Sequence, residues 1–319
     1  MKQVSIRQVG EATAADAPQI GDAAGRLGAL ARAGLPVVPG FWVTAAAYRR
    51  HAAQSGVAGA LDAAHRPLAG YTRTEGTPAQ SADLLDRLRR RIAIAPLPLA
   101  VAADLAAAYR TLAAVPADSA LDDAAANSPR VAVTVQPVAL HPRAADSLPA
   151  GVTVADGTAL ADAVRDCWAG LWSNAALHGR ADRELPPTGM ACAVWVQRAL
   201  AGPRGRWTPG TPLPDDPTWA DLTPAQGQAL ADLVTRLVAA PLPPLIIDWV
   251  AAGNTVWISD AQPVPAVPRV RRPRRTRRPR PPAPLPLPRR IALTVLGTLI
   301  VTVSRRVRRR ARRGGGRGD

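Results

Sequence analysis

The chain has 319 residues, 47% of them hydrophobic, which is enough for one large packed domain or two small ones. Its charge is concentrated at one end: Val267–Asp319 holds 18 arginines and one acid, so the body before it is close to neutral. Cys167 and Cys192 have no CxxC or Cys/His spacing, and the N-terminus has no apolar run of signal-peptide length. These features argue against a zinc site and against secretion, and we expect two buried thiols in a cytoplasmic body.

The first part of the body alternates strand and helix patterns. Residues 4–9 and 41–44 are typical of strands, and residues 21–33 carry apolar side chains at helical spacing. Gly34 is a typical C-cap for that helix, and Thr44 is a typical N-cap for the helix that follows. Pro39 disfavours helical backbone at Val38, which separates the two helices. This order predicts a mixed α/β fold.

The second part continues the same alternation. Helical patterns cover residues 81–115, interrupted at Ala95–Pro98, then residues 160–178 and 222–238, the last with Thr223 at its N-cap. Strand patterns cover residues 130–135 and 191–200, and residues 245–264 form a predicted hairpin. Trp168, Leu171 and Trp172 have the spacing of core residues rather than ligand-stacking ones.

Three segments carry a resemblance to a known family. The run LARAGLPVVPGFWVTAAAYRR with Gly21 and Gly28, the helix CWAGLW and the closing hairpin LIIDWVAAGNTVWISDAQPV resemble the nucleotide-binding domain of phosphoenolpyruvate synthase and pyruvate phosphate dikinase. The resemblance covers about residues 20–264 and implies an ATP-grasp-like domain with ATP and Mg²⁺ as cofactors and kinase or phosphotransferase activity. It implies nucleotide-contact positions at Gly21, Gly28, Gln197 and Gln262. For Gln197, a plain strand residue is the competing interpretation.

The resemblance fails where the family places positive charge. Ala23, Thr134 and Gln262 stand where the family has Lys, Arg and Arg. Charge-assisted contacts to phosphate contribute roughly 1.5–3 kcal/mol each. The chain is also shortened near residues 201–220, where the family carries two cleft-forming segments. We therefore predict a catalytically degenerate domain that acts as a sensor or scaffold and is tethered by the basic C-terminal tail.

Two acids in the closing hairpin give an alternative. By resemblance Asp248 stands at the family's metal-binding Glu and Asp260 at its Gln, and paired carboxylates suit Mg²⁺, which prefers oxygen ligands. Two solvent-facing acids on a hairpin are the competing interpretation. If the metal site exists, the chain is an active ATP-grasp phosphotransferase subunit. It then needs a separate phosphohistidine-domain partner, because its four histidines match no phosphohistidine motif.

The last part of the chain is basic. Residues 267–290 are rich in Pro and Arg and predict a disordered linker, and residues 304–319 form an Arg/Gly tail. Between them, residues 291–303 are uncharged and apolar; as a helix they would reach about 20 Å, short of the roughly 30 Å of a bilayer core. Residues 267–319 fit an anionic membrane surface, with nucleic acid as the less favoured partner because no aromatic residue interleaves the arginines. A solvated extension that aids solubility is the remaining alternative.

Overall fold

The computed structural model describes residues 4–60, 79–115, 131–141, 148–185, 190–211 and 221–265. The chain divides into two units, Met1–Ala266 and Val267–Asp319, and every described residue belongs to the first. The linker, the short apolar segment and the basic tail predicted for residues 267–319 lie outside the described residues.

The described residues form helices and antiparallel strands, which confirms the mixed α/β prediction. The helices are α1 (Ala17–Ile20), α2 (Asp22–Arg32), α3 (Ala45–Gln54), α4 (Ala79–Ile94), α5 (Leu99–Ala113), α6 (Leu160–Gly170), α7 (Asn174–Ala181) and α8 (Pro224–Ala239). The strands are β1 (Ile6–Gln8), β2 (Gly40–Val43), β3 (Val133–Ala139), β4 (Val152–Val154), β5 (Cys192–Arg198), β6 (Arg204–Trp207), β7 (Leu245–Ala252) and β8 (Thr255–Pro263).

The larger sheet has five strands in the order β1-β2-β5-β3-β4, all antiparallel. Alternate residues of each strand face opposite sides. Phe41, Val135 and Val194 face a core that is completed by the helices α3 to α7. Trp42 and Trp195, which are direct cross-strand partners, face the other side and belong to a second core.

The smaller sheet has the order β6-β7-β8 and contributes to that second core. Ile247, Trp249 and Ile258 pack there together with residues of α2 and α8. The segment that follows α2 is joined to β8 by two backbone hydrogen bonds, Val38 N–H to the Ile258 carbonyl at 2.9 Å and Ile258 N–H to the Pro36 carbonyl at 2.7 Å. The second core therefore connects the two sheets.

Helix ends follow local chemistry. Gly34 has φ of 74° and follows α2, where the Gly34 and Leu35 N–H groups donate to the Ala31 and Leu30 carbonyls, so the predicted C-cap is confirmed. Thr223 is the N-cap of α8, and its hydroxyl accepts from the Gln226 N–H at 3.3 Å, as predicted.

The single helix expected over residues 160–178 is wrong. The helix α6 ends at Gly170. The helix α7 begins at Asn174, because Ser173 has extended backbone and caps α7 by accepting a hydrogen bond from the Ala176 N–H.

No described helix is by itself long and apolar enough to cross a membrane. The helices over Ala82–Ile94 and Leu99–Ala113 meet that criterion only as a pair, across a bend of 64°.

Candidate functional site

The start of α2 approaches the end of β3 very closely at Gly21. This residue has φ of 83° and ψ of 161°, and a Cβ atom added to it would lie 2.7 Å from Val138 Cγ1 and 3.2 Å from the Ala139 carbonyl oxygen. Only glycine adopts that backbone region readily. At Gly28 an added Cβ would lie 2.1 Å from the Ala12 carbonyl oxygen. Both glycines are therefore required by packing, whatever else they contact.

The same helix also reaches the smaller sheet. Arg26 Nε donates to the Ala261 carbonyl at 2.7 Å, and Ala261 lies between Asp260 and Gln262 on β8. Gly21 and Arg26 are five residues apart, about 7.5 Å along a helix. The first turns of α2 thus connect the end of β3 to the strand that carries Asp260 and Gln262, and this brings two parts of the predicted site together.

Gln197 lies farther along the larger sheet. It is 8% exposed and sits on β5 between Gly40 of β2 and Thr134 of β3. Thr134 precedes Val138 by four residues, about 13 Å along a strand. The Gln197 Oε1 and Thr134 Oγ1 atoms are buried and form no hydrogen bond with any residue that the structure describes. An unsatisfied buried polar atom costs roughly 1–3 kcal/mol, so this pair is chemically suited to a ligand that donates hydrogen bonds.

The closing hairpin places its acids as direct partners. Asp248 of β7 pairs in register with Asp260 of β8, beside a bulge between Asp248 and Trp249. Gln262 Nε2 donates to Asp260 Oδ2 at 3.1 Å. The two carboxylates predicted as metal ligands are therefore neighbours on one face of the smaller sheet.

Arg206 on β6 is the residue of this site that the sequence analysis missed. Its Nε donates to Asp248 Oδ1 at 2.6 Å and its Nη2 to Asp248 Oδ2 at 3.0 Å, a bidentate ion pair. The hydrogen bond to Asp248, followed by the charges of Asp248 and Asp260, raises the Arg206 pKa. The sequence signal that could have revealed Arg206 is the run Arg204-Gly-Arg206-Trp207, whose alternation is typical of a strand with one face in the core. In the structure Trp207 is buried and both arginines are exposed.

Arg206 competes with any Mg²⁺ ion for this pair. Both oxygens of Asp248 accept from Arg206, and the positive charge of the guanidinium lies beside them. Within the described residues, no group of three or more His, Cys, Asp or Glu side chains could hold a metal ion. The assignment of Asp248 and Asp260 as metal ligands stays a prediction.

The second core contains the indole rings of Trp42, Trp195, Trp207 and Trp249. Trp42 and Trp195 stack with ring centroids 4.1 Å apart. The indole N–H groups of Trp195, Trp207 and Trp249 are buried, and no described residue accepts a hydrogen bond from them. Two cavities of about 540 and 470 Å³ lie along α5 instead, and no predicted site residue lines either one. The predicted site residues therefore lie beside the aromatic second core and outside both cavities.

Part of the chain matches the model of a known protein family. The model of the pyruvate phosphate dikinase AMP/ATP-binding domain matches residues 17–205, which include Gly21, Gly28 and Gln197 but not the closing hairpin.

The phosphoenolpyruvate synthase of Aeropyrum pernix is 28% identical over 190 residues, 58% of this chain and 21% of that enzyme. The chain thus spans about a fifth of the length of this relative. Because the family model covers more than half of its residues, the chain belongs to the pyruvate phosphate dikinase AMP/ATP-binding domain family.

Proposed function

We propose that this chain binds an adenine nucleotide without transferring its phosphoryl groups, and acts as a sensor or scaffold. Family membership indicates an adenine nucleotide as the ligand, because the matched domain is an AMP/ATP-binding domain. The observation that carries the proposal is the bidentate ion pair between Arg206 and Asp248. It leaves the hairpin without a free carboxylate pair for Mg²⁺, which phosphoryl transfer from ATP uses to neutralise developing charge.

Neutral side chains support the same conclusion on the phosphate side. Ala23, Thr134 and Gln262 carry no positive charge, so none of them can form an ion pair with phosphate oxygens. Each such contact would favour a triphosphate by roughly 10- to 100-fold over a ligand that lacks the phosphate. If none of them forms, the affinity for a nucleotide depends little on how many phosphates it carries.

The unsatisfied acceptor on Gln197 supports a contact to the base. Its Oε1 lies on the face that turns toward the second core and has no hydrogen-bond partner among the described residues. The exocyclic amino group of adenine is a donor that can satisfy such an oxygen. Binding through the base and a weak contribution from the phosphates are the two features that the proposal combines.

The proposal is tested by calorimetric titration of the full chain with AMP and with ATP, each with and without Mg²⁺. We expect dissociation constants for AMP and ATP within about threefold of each other, unaffected by Mg²⁺. Gln197→Leu should weaken both by about tenfold. Gln136→Leu, an exposed glutamine on the facing strand, is the matched control. Binding of Mg·ATP more than tenfold tighter than AMP would contradict the proposal.

The direct pairing of Asp248 with Asp260 favours a second candidate, an active phosphotransferase subunit. In that case Asp248 and Asp260 hold Mg²⁺ after Arg206 turns away, and a separate phosphohistidine-domain protein accepts the phosphoryl group. This candidate predicts Mg²⁺-dependent hydrolysis of ATP that is lost in Asp248→Ala. The absence of turnover with any such partner would count against it.

The charge of residues 267–319 favours a further role in attachment. With 18 arginines and one acid, this segment would bind an anionic membrane surface, or nucleic acid as the less favoured partner. Salt-dependent binding to DNA that is lost when residues 267–319 are removed would support the nucleic-acid alternative.

A further inference from the structure

Two large aliphatic side chains are exposed at one corner of the body. Ile94, the last residue of α4, is 77% exposed, and Leu99, the first residue of α5, is 86% exposed. Only four residues separate them. Aliphatic side chains scattered singly over a surface need no explanation, but two at the same helical corner form a local apolar projection.

The corner is held firmly in this position. Pro96 and Pro98 fix their φ angles, and the Pro98 carbonyl accepts from the Ala102 N–H at 2.9 Å, which begins α5. Arg165 on the neighbouring helix α6 donates from Nη1 to the Ala95 carbonyl at 3.0 Å. Ile94 and Leu99 are therefore presented by an ordered turn.

A stripe of arginines on α4 leads to the corner. Arg87, Arg90 and Arg91 precede Ile94 at i, i+3, i+4 and i+7 spacing, so all four lie on one face of the helix. The opposite face, with Leu85, Leu88 and Ile92, is buried in the first core. We call Arg87, Arg90 and Arg91 the basic stripe.

The helix α4 carries more positive charge than its own acids offset, because it has four arginines, Arg87, Arg89, Arg90 and Arg91, and two acids, Asp83 and Asp86, a net charge of +2. Asp86 pairs with Arg89 and Asp162 pairs with Arg165, so both acids are engaged by arginines outside the basic stripe. Arg91 Nε donates to the neutral Ser55 carbonyl. All three arginines of the stripe are exposed and belong to no ion pair within the described part of the chain.

We propose that the basic stripe and the corner Ile94–Leu99 form a docking surface for an anionic lipid bilayer. The arginines contact the headgroups, and Ile94 and Leu99 insert into the boundary between headgroups and acyl chains. Interfacial binding is strongest when apolar burial and electrostatic attraction act together. The basic stripe and Ile94 lie on one face of α4, and Leu99 follows at the turn after it. The proposal concerns the folded body and is independent of any role for residues 267–319.

The test must distinguish membrane binding by this corner from membrane binding by residues 267–319, so it measures the environment of the corner itself. Cys167 and Cys192 are both buried, and burial raises the pKa of the Cys167 thiol to about 12 and that of Cys192 well above its usual value. An introduced cysteine is therefore the reactive one. An environment-sensitive fluorophore is attached to Leu99→Cys in the full chain and, as matched control, to Val238→Cys, an aliphatic position on α8 that is 70% exposed.

Vesicles of phosphatidylcholine with phosphatidylserine should shift the emission of the Leu99→Cys probe to the blue, and phosphatidylcholine vesicles should not. The Val238→Cys probe should not respond. Arg87→Gln and Arg90→Gln should each weaken the response by about fivefold. Ile94→Ser should weaken it by at least about tenfold, and Arg110→Gln, an exposed arginine of α5, should leave it unchanged.

Two results would overturn the proposal. One is co-sedimentation of the full chain with anionic vesicles while the Leu99→Cys probe stays unchanged, because the contact would then lie elsewhere. The other is an equal probe response to soluble polyglutamate without lipid, which would assign the surface to an acidic protein partner. The circular dichroism spectrum of each variant checks that its fold is intact.

Discussion

Replacing Gly21 with alanine should destabilise the body strongly, although Gly21 belongs to a motif that suggests phosphate binding. The backbone at Gly21, with φ of 83° and ψ of 161°, costs a residue with a side chain roughly 1–3 kcal/mol. The new Cβ would also lie 2.7 Å from Val138 Cγ1 and 3.2 Å from a backbone oxygen, which adds overpacking of about 1–3 kcal/mol. We therefore expect a loss of about 2–6 kcal/mol in the free energy of unfolding.

Gly34 provides the matched control for this experiment. Its φ of 74° is similarly positive, but an added Cβ would meet nothing within 4 Å. Gly34→Ala should therefore lose only the backbone term, about 1 kcal/mol. Urea denaturation of both variants gives the comparison from the midpoint at a constant m-value. If Gly21→Ala loses no more stability than Gly34→Ala, the packing argument for Gly21 is refuted.

Three further predictions concern the cores and one helix end. His51 is buried, and desolvation lowers its pKa although its Nε2 lies 3.0 Å from the Ile92 carbonyl oxygen. Below about pH 6.5 the unfolded chain therefore binds more protons at His51 than the folded protein does, so the free energy of unfolding should fall as the pH drops. His51→Gln should abolish that dependence in urea denaturation at pH values on either side, and an unchanged dependence would refute the assignment. Tyr48→Phe should cost about 1–3 kcal/mol of unfolding free energy because it leaves the buried Trp172 Nε1–H without its acceptor at 3.1 Å, and a neutral effect on the thermal midpoint would contradict this. Thr223→Ala should cost about 1 kcal/mol through loss of the α8 cap, measured by denaturant midpoint, whereas Thr223→Asn should retain most of the stability.

The sequence predicted elements whose pattern is local. The α8 helix and its Thr223 cap, the Gly34 C-cap and the closing hairpin follow from spacing and backbone preference, which neighbouring residues determine. The burial of Trp168, Leu171 and Trp172 was predicted in the same way and is confirmed.

Features that depend on distant residues were missed. The strand expected to end at Val135 continues to Ala139 through Pro137, an unusual residue for a strand interior. It is tolerated there because β4 pairs only with Val133–Val135, so beyond that point no described strand pairs with β3 on that side.

The ion pair between Arg206 and Asp248 was missed for the same reason. The two residues are 42 positions apart, and only the pairing of β6 with β7 brings them together. The two sequence-based interpretations of Asp248, a metal ligand and a solvent-facing acid, both left out an arginine on a third strand. For the candidate site, the sequence thus indicated the residue types but not the contact that limits their chemistry.

The release of inorganic phosphate from Mg·ATP by the full chain, compared with its Asp248→Ala variant, tests the central claim most directly. A domain that binds nucleotide without phosphoryl transfer should release phosphate at the same background rate in both proteins. Release by the unmodified chain that falls to background in Asp248→Ala would contradict the account, because Asp248 would then act on the phosphates despite its ion pair with Arg206.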